Sequence, residues 1–427
     1  MMPCSAALLM LAFATGADLK VSPTDWPQFR GPNRDGTSTE TRLLKEWPTD
    51  GPKKLWTVSG LGGGYGSTSV VGGFLFGTGR KKDKDHVWAL DEATGQEKWS
   101  TPFADSVNVG AGEGPRSTPT YAAGKLYVVS SGGELACVDA TSGKILWQKN
   151  YVKDFGGTVQ SWGYCESVLV DGTTVIGTPC SKSAAMVALN ANTGATIWKT
   201  EIKDAGNAGG YASPVMAEIG GVKMYVTLLG QAGGVVGVDA KTGKLLWQYT
   251  KVMNGTANVP SPIVYGDKIF CSTGYGAGAA LLKIVPQGKG AFKVEELKFY
   301  KGNDLQNHHG GMVRVGDYVY LGSRHDNGNP ACVSLKTGAI QWKEDSNVGQ
   351  GDGSAAMAAA DGMLYFRYQN HTMVLVKADP AGFSLVSAFK LPEWSKKQSW
   401  AHPSIANGRL YIRDQDKLHA FDVKAKD

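Results

Sequence analysis

Two histidines stand side by side in Asn307-His-His-Gly-Gly311, and His325, His371 and His402 follow downstream. Imidazole can change charge near neutral pH or ligate a metal. Arg116 and Arg324 offer planar forks that suit a carboxylate or phosphate. Trp162, Tyr164 and Trp400 offer flat faces on which a sugar ring or a quinone can stack, and Asp352 adds a carboxylate. No His-Glu-x-x-His or comparable spacing accompanies the histidines, so spacing alone predicts no metal site. Neither Cys-x-x-Cys nor Cys-x-x-Cys-His occurs, which excludes zinc ribbons, thioredoxin-like redox motifs and covalently attached c-type haem. The run Gly62-Gly-Gly64 lacks the following helix that a phosphate loop needs.

These side chains act together only if the chain brings them together, and an internal repeat shows how. Asp91-Glu-Ala-Thr-Gly-Gln-Glu-Lys-Trp99 recurs as Asp139-Ala-Thr-Ser-Gly-Lys-Ile-Leu-Trp147, Asn190-Ala-Asn-Thr-Gly-Ala-Thr-Ile-Trp198 and Asp239-Ala-Lys-Thr-Gly-Lys-Leu-Leu-Trp247. Each copy reads as a strand, a turn and a second strand. The Asp or Asn side chain accepts from backbone N–H groups in the turn, and the Gly supplies positive φ. A second hairpin precedes each copy. Its turns are expected at Gly72-Gly73, Ala123-Gly124, Asp171-Gly172, Gly220-Gly221, Gly266-Asp267, Gly316-Asp317, Asp361-Gly362 and Asn407-Gly408. A repeat is therefore four strands, A to D.

Anchor aromatics on strand D fall at Trp56, Trp99, Trp147, Trp198, Trp247, Phe299, Trp342 and Phe389. Repeats of this length predict an all-β fold, an eight-bladed β-propeller of four-stranded antiparallel blades. Eight A–B hairpins are matched by only seven complete C–D pairs. The unmatched strand at residues 53–59 is expected to pair with Leu418–Asp422 and close the ring. The anchor residues repeat and a single site does not, so they read as structural.

In a propeller the loops entering strand A and joining B to C share one face, around the central channel. That face is expected to gather Arg116, Trp162, Tyr164, His308, His309, Arg324, His325, Asp352, His371, Trp400 and His402. Hairpin register sets His309 opposite Arg324, Asp352 near His371 and His402 opposite Arg413. His308 and His309 could equally be packing residues bridging the channel. The opposite face, made of Thr-Gly turns and including Lys144 and Lys244, holds no such concentration.

Composition agrees with many short strands: 57 Gly and 12 Trp in 427 residues, with 19% charged. The net charge of +6 is mild, and no basic block exceeds Arg80-Lys81-Lys82, which argues against nucleic acid as a partner. Residues 1–17 read as a cleaved export signal, although no Lys or Arg precedes the apolar run from Ala6 to Phe13. Residues 18–52 read as an extended segment and 53–427 as the propeller. No transmembrane segment follows. Cys4 lacks the context of a lipid-anchored cysteine. Cleavage leaves Cys137, Cys165, Cys180, Cys271 and Cys332. Export permits disulfides. Cys165 and Cys180 would be directly opposite if the turn is Gly172-Thr173 and diagonal if it is Asp171-Gly172.

The Asp-x-x-Thr-Gly-x-x-x-Trp unit resembles the pyrroloquinoline-quinone (PQQ) repeat, shared by quinoprotein alcohol dehydrogenases and the outer-membrane assembly scaffold BamB. Asp25-Trp-Pro-Gln-Phe-Arg-Gly-Pro-Asn-Arg-Asp-Gly36, Gly114-Pro-Arg-Ser-Thr-Pro-Thr120, Ser161-Trp-Gly-Tyr164 and Asn307-His-His-Gly-Gly311 resemble segments of exported bacterial PQQ-like propellers. The resemblance covers about residues 25–427. It implies a periplasmic or extracellular module that binds a protein, glycan or small ligand through the channel mouth, with no cofactor required. The alternative it implies is a PQQ-dependent alcohol or sugar dehydrogenase, with PQQ and a divalent cation in the channel. The vicinal Cys-Cys pair of those dehydrogenases is absent here, as is a haem motif for electron exit.

Overall fold

In the computed structural model, residues 18–426 are described, apart from 111, 203, 204, 206–209 and 289. The expected export signal and Cys4 lie outside the described residues. Eight four-stranded antiparallel sheets form the propeller. Blade one comprises Ser69–Val71, Phe74–Lys81, Lys84–Asp91 and Glu97–Asp105. Blade eight comprises Ser404–Ala406, Arg409–Asp414, Lys417–Asp422 and, from the other end of the described chain, Lys53–Val58. That closing strand runs from Lys53 opposite Asp422 to Val58 opposite Leu418, as the unmatched repeat predicts.

Seven of the eight A–B turns fall where the Gly-containing pairs place them. At Ala123-Gly124, Asp361-Gly362 and Asn407-Gly408 both turn residues have positive φ, the hairpin geometry that matches strand twist. The exception is blade three. Asp171 pairs with Thr174, so the turn is Gly172-Thr173, with positive φ only at the glycine. This register points Cys165 at Cys180, yet the A–B ladder stops at Leu169 opposite Ile176. Beyond it Cys180 takes φ 56° and its Sγ turns to the Gly210 carbonyl, while the Cys165 Sγ turns to the Trp162 carbonyl. Both are free thiols, and no bridge forms.

The repeat explains how blades lock together. Asp91 Oδ1 accepts from the N–H groups of Ala93 and Thr94 and from the Thr94 hydroxyl, and Asp239 does the same for Lys241 and Thr242. The turn glycine of blades one to four lies under the anchor Trp of the preceding blade. A Cβ on Gly143 would sit 2.6 Å from Trp99, and one on Gly243 would sit 2.6 Å from Trp198. The indole N–H groups of Trp99, Trp147 and Trp198 then donate to the carbonyls of Ala140, Ala191 and Ala240. Aromatic burial and a satisfied N–H thus act at the same contact. Where blade five lacks a Thr-Gly turn, Trp247 donates to the Met224 sulfur of its own blade instead.

Residues 18–52, expected only to be extended, do more. Asp25 accepts from Gly72 N–H at a blade-one turn, and Trp26 pairs with Val70. The chain then enters the channel from the turn face. Arg34 is buried and donates to the carbonyls of Ser167, Val168 and Pro214. Arg30 donates to the carbonyls of Met312 and Asp35. The chain leaves along Ala359, and Trp47 packs against Tyr365 and Phe389 before the closing strand begins. This segment is a plug that seals the turn end of the channel.

Candidate functional site

One position two residues ahead of strand A repeats around the channel: Ser67, Thr118, Ser167, Ser213 and Ser261 in blades one to five. Each backbone N–H donates to the next blade's hydroxyl, from Ser67 to Thr118, Thr118 to Ser167, Ser167 to Ser213 and Ser213 to Ser261. Small hydroxyl residues are needed here because adjacent strands A converge at the axis. The hydroxyl residues give way to Gly311 in blade six, Ala356 in blade seven and His402 in blade eight, although the His402 N–H still donates to the Ser67 hydroxyl of blade one. The His402 imidazole lies over Gly311, whose Cβ, were there one, would be 2.4 Å from the ring. The broken part of the ring is the side where the histidines gather.

Above this ring and the plug lies a blind cavity of about 350 Å³ opening on the expected face. Phe29 and Arg30 of the plug form its floor with His402, and Phe29 meets the His402 ring edge-on at 5.3 Å. Its wall is a continuous arc of planar groups. The Arg116 guanidinium lies 5.3 Å over Tyr65, Tyr65 stacks on Trp400 at 4.8 Å, and Trp400 meets His309 at 4.7 Å. The arc continues through His308 and, behind it, His325, each step 3.9 Å, to Tyr275 at 4.3 Å. Trp162 and Tyr211, 5.7 Å apart, form a second aromatic wall.

Of the expected residues, Arg116, Trp162, His308, His309, Trp400 and His402 line the cavity. Five do not. Tyr164 is buried in the blade-three core, donating to the Pro179 carbonyl and packing on Tyr151 at 5.1 Å. His371 takes φ 68° and turns inward, away from Asp352, to donate to the Lys397 carbonyl and pack on Trp394. Among the described residues the Asp352 carboxylate accepts only from its neighbour Gly353, and the residue is exposed. Arg324 points outward, 3.7 Å from Asp345, and does not face His309. Its own backbone bridges Asn307 instead, because strand A of blade six starts only at Met312. His325 stands behind His308, with Nε2 3.4 Å from Asp326.

Phe29, Arg30 and Tyr275 were not expected. Tyr275 sits on the B–C loop of blade five, a loop class already expected to face the mouth. The plug residues gave no such signal, because a non-repeating segment has no register.

Burial shapes the electrostatics. Burial, with the neighbouring His325, lowers the His308 pKa to about 4 despite Asp326. Burial likewise holds His309 well below the usual imidazole value, and it lowers His402 to about 3, with Arg30 adding to the effect. The three rings are neutral at pH 7 and present lone pairs. Burial also lowers Arg30 to about 10, so it remains charged. Its Nε and Nη1 have no hydrogen-bond partner among the described residues.

An eight-bladed propeller with interlocked Asp-Thr-Gly-Trp turns and a mouth cavity defines the class. The chain belongs to the PQQ-repeat family described as outer membrane protein assembly factor BamB, whose model matches residues 83–344. Among curated relatives, a quinone-type alcohol dehydrogenase subunit of Acetobacter aceti is 23% identical over 349 residues, covering 77% of this chain and 46% of that protein. A BamB of Moranella endobia is 28% identical over 186 residues, covering 42% of each. The chain thus spans less than half the length of these relatives. Among solved structures, BamB from Moraxella catarrhalis matches 88% of this chain and 98% of its own, with a TM-score of 0.60 and 14% identity. A quinohemoprotein alcohol dehydrogenase from Comamonas testosteroni matches 95% and 81%, with a TM-score of 0.61 and 14% identity. These likenesses establish the fold.

Proposed function

We propose that this propeller is a binding module of the cell envelope that holds a small, flat, anionic molecule in its mouth cavity. The observation that carries this reading is Arg30: a buried guanidinium at the floor of a blind aromatic pocket, with two nitrogens that have no hydrogen-bond partner among the described residues. A buried charge is costly unless it is paired, so the site favours a carboxylate or phosphate there. Tyr65, Trp400, Trp162 and Tyr211 supply flat apolar surface for the rest of the ligand. The family match supports an exported envelope protein.

Several relatives are named as quinone or quinoprotein dehydrogenases. The site does not fit the metal half of that chemistry. Asp326 is the sole carboxylate among the described residues lining the cavity, and it already engages His308 and His325. It cannot serve both as ligand to a hard, oxygen-seeking cation and as a free proton acceptor. The flanking donors are imidazoles. A second reading, a scaffold that docks other proteins, is favoured by the BamB family match alone.

Titration calorimetry with aromatic carboxylates, sugar acids, PQQ and their neutral analogues tests the reading. Acids are expected to bind and their neutral analogues to bind at least tenfold more weakly. Trp400→Ala should weaken binding by a similar factor, and Lys144→Ala/Lys244→Ala on the turn face should not. Equal binding of acids and neutral analogues, or equal behaviour of the two variants, would overturn it.

A further inference from the structure

We propose that His308, His309 and Asp326 form a site for a divalent transition metal at the cavity wall, with an open coordination position facing the cavity. One donor atom from each of the three lies within 4.8 Å of the others. His308 Nδ1 and Asp326 Oδ1 are 3.0 Å apart, a few tenths of an ångström short of the roughly 3.4 Å between tetrahedral ligands with legs of roughly 2.1 Å. His309 would have to move towards the other two donors; its ring makes stacking contacts on His308 and Trp400 and no hydrogen bond among the described residues.

The surroundings of these three match what a metal site requires around its ligands. A ligating imidazole normally donates its other N–H to a fixed acceptor. His308 Nε2 has Tyr275 Oη at 3.2 Å for that purpose. His325 accepts the Tyr275 backbone N–H at Nδ1, which leaves Nε2 on the side of Asp326, 3.4 Å from its Oδ2. Three non-glycine residues around the cluster, Tyr275, Arg324 and Asp326, have φ of 58°, 73° and 52°. That is an unfavourable backbone concentrated at one place, as functional sites often carry.

Two imidazoles and one carboxylate select zinc, cobalt, nickel or copper over calcium or magnesium. Three protein ligands leave a fourth position for water or for a ligand group, the arrangement of open rather than structural zinc sites. All three ligands line the cavity, so the open position meets whatever enters it. Spacing could not show this, because the ligands come from the loop entering strand A and the B–C loop of the same blade.

The test uses the full chain, stripped with a chelator and titrated with Zn2+ or Co2+ in the absence of organic ligands, so it is independent of the anion-binding reading. One equivalent is expected to bind, and bound Co2+ is expected to show the strong visible bands of a four-coordinate site. Asp326→Asn, a change on a two-thirds-exposed loop residue that should not disturb folding, is expected to weaken binding at least tenfold. His309→Ala should do the same, and His86→Ala, on the blade-one strand Lys84–Asp91, should leave it unchanged. Absence of stoichiometric binding, or equal affinity of Asp326→Asn and the unaltered chain, would overturn the proposal.

Discussion

At the scale of single residues, the cavity exists because certain positions give up side chains that their counterparts keep. Gly311 takes the place of a hydroxyl residue, and His402 fills the space it leaves. Gly311 also has φ 75°, which an L side chain adopts only under strain. Gly311→Ala is therefore expected to displace the His402 ring and destabilise the fold by about 1–3 kcal/mol, the usual cost of overpacking. Thermal melting would register the loss, and crystallography of the variant would show a moved imidazole. A melting temperature equal to that of the unaltered protein would mean the channel wall yields more easily than the close approach implies.

At the scale of elements, the A–B hairpins, the Thr-Gly turns and the anchor Trp residues were legible because each recurs. A repeated Asp, Gly and Trp at fixed offsets fixes both the turn and the strand that follows. The blade-three turn was misread because Asp171-Gly172 and Gly172-Thr173 satisfy the same local chemistry, and only strand pairing chooses between them. Legibility of the mouth followed the same division. His308, His309, Trp400 and His402 could be placed by register, whereas His371 and Tyr164 turn into the core through local backbone geometry that no pattern announces. The thiols follow from that geometry. Cys165 and Cys180 are expected to remain unbridged under oxidising conditions, read as two free thiols by alkylation and mass spectrometry. Burial raises the Cys165 thiol to about 11, so labelling of the folded protein should be slow.

The plug is the element with no repeat to announce it. Deleting residues 18–36 should open the channel at the turn end and remove Trp26 from the core cluster it shares with Leu75 and Leu410. The expected outcome is a β-rich protein that melts at lower temperature and no longer retains anions, since Arg30 and Arg34 are lost together. Unchanged melting would show that the plug is a passive tail rather than part of the core.

At the scale of the whole molecule, stability depends on closure. The strand Lys53–Val58 joins a region near the start of the sequence to the last strand and leaves Lys417–Asp422 paired on both sides. Deleting it should cost much of the cooperative transition, read as a broadened denaturation curve with a lower midpoint. The same seam makes closure sensitive to acid. His419 pairs with Thr57 across it, with Nδ1 3.0 Å from the Thr57 hydroxyl. Burial lowers the His419 pKa to about 4; Arg367 and Lys54 add to that shift, while Asp414 and Glu393 oppose it. The unfolded chain takes up this proton near pH 6.5, before the folded one does. Above that value the seam is at full strength. Between about 6.5 and 4 the unfolded state binds more protons, so stability must fall as pH falls, by up to about 1.4 kcal/mol per pH unit from this group. His419→Gln cannot take up a proton. Denaturant titrations of both proteins from pH 7 to pH 4 should show a shallower decline for His419→Gln, and parallel declines would remove the seam from the account of acid sensitivity.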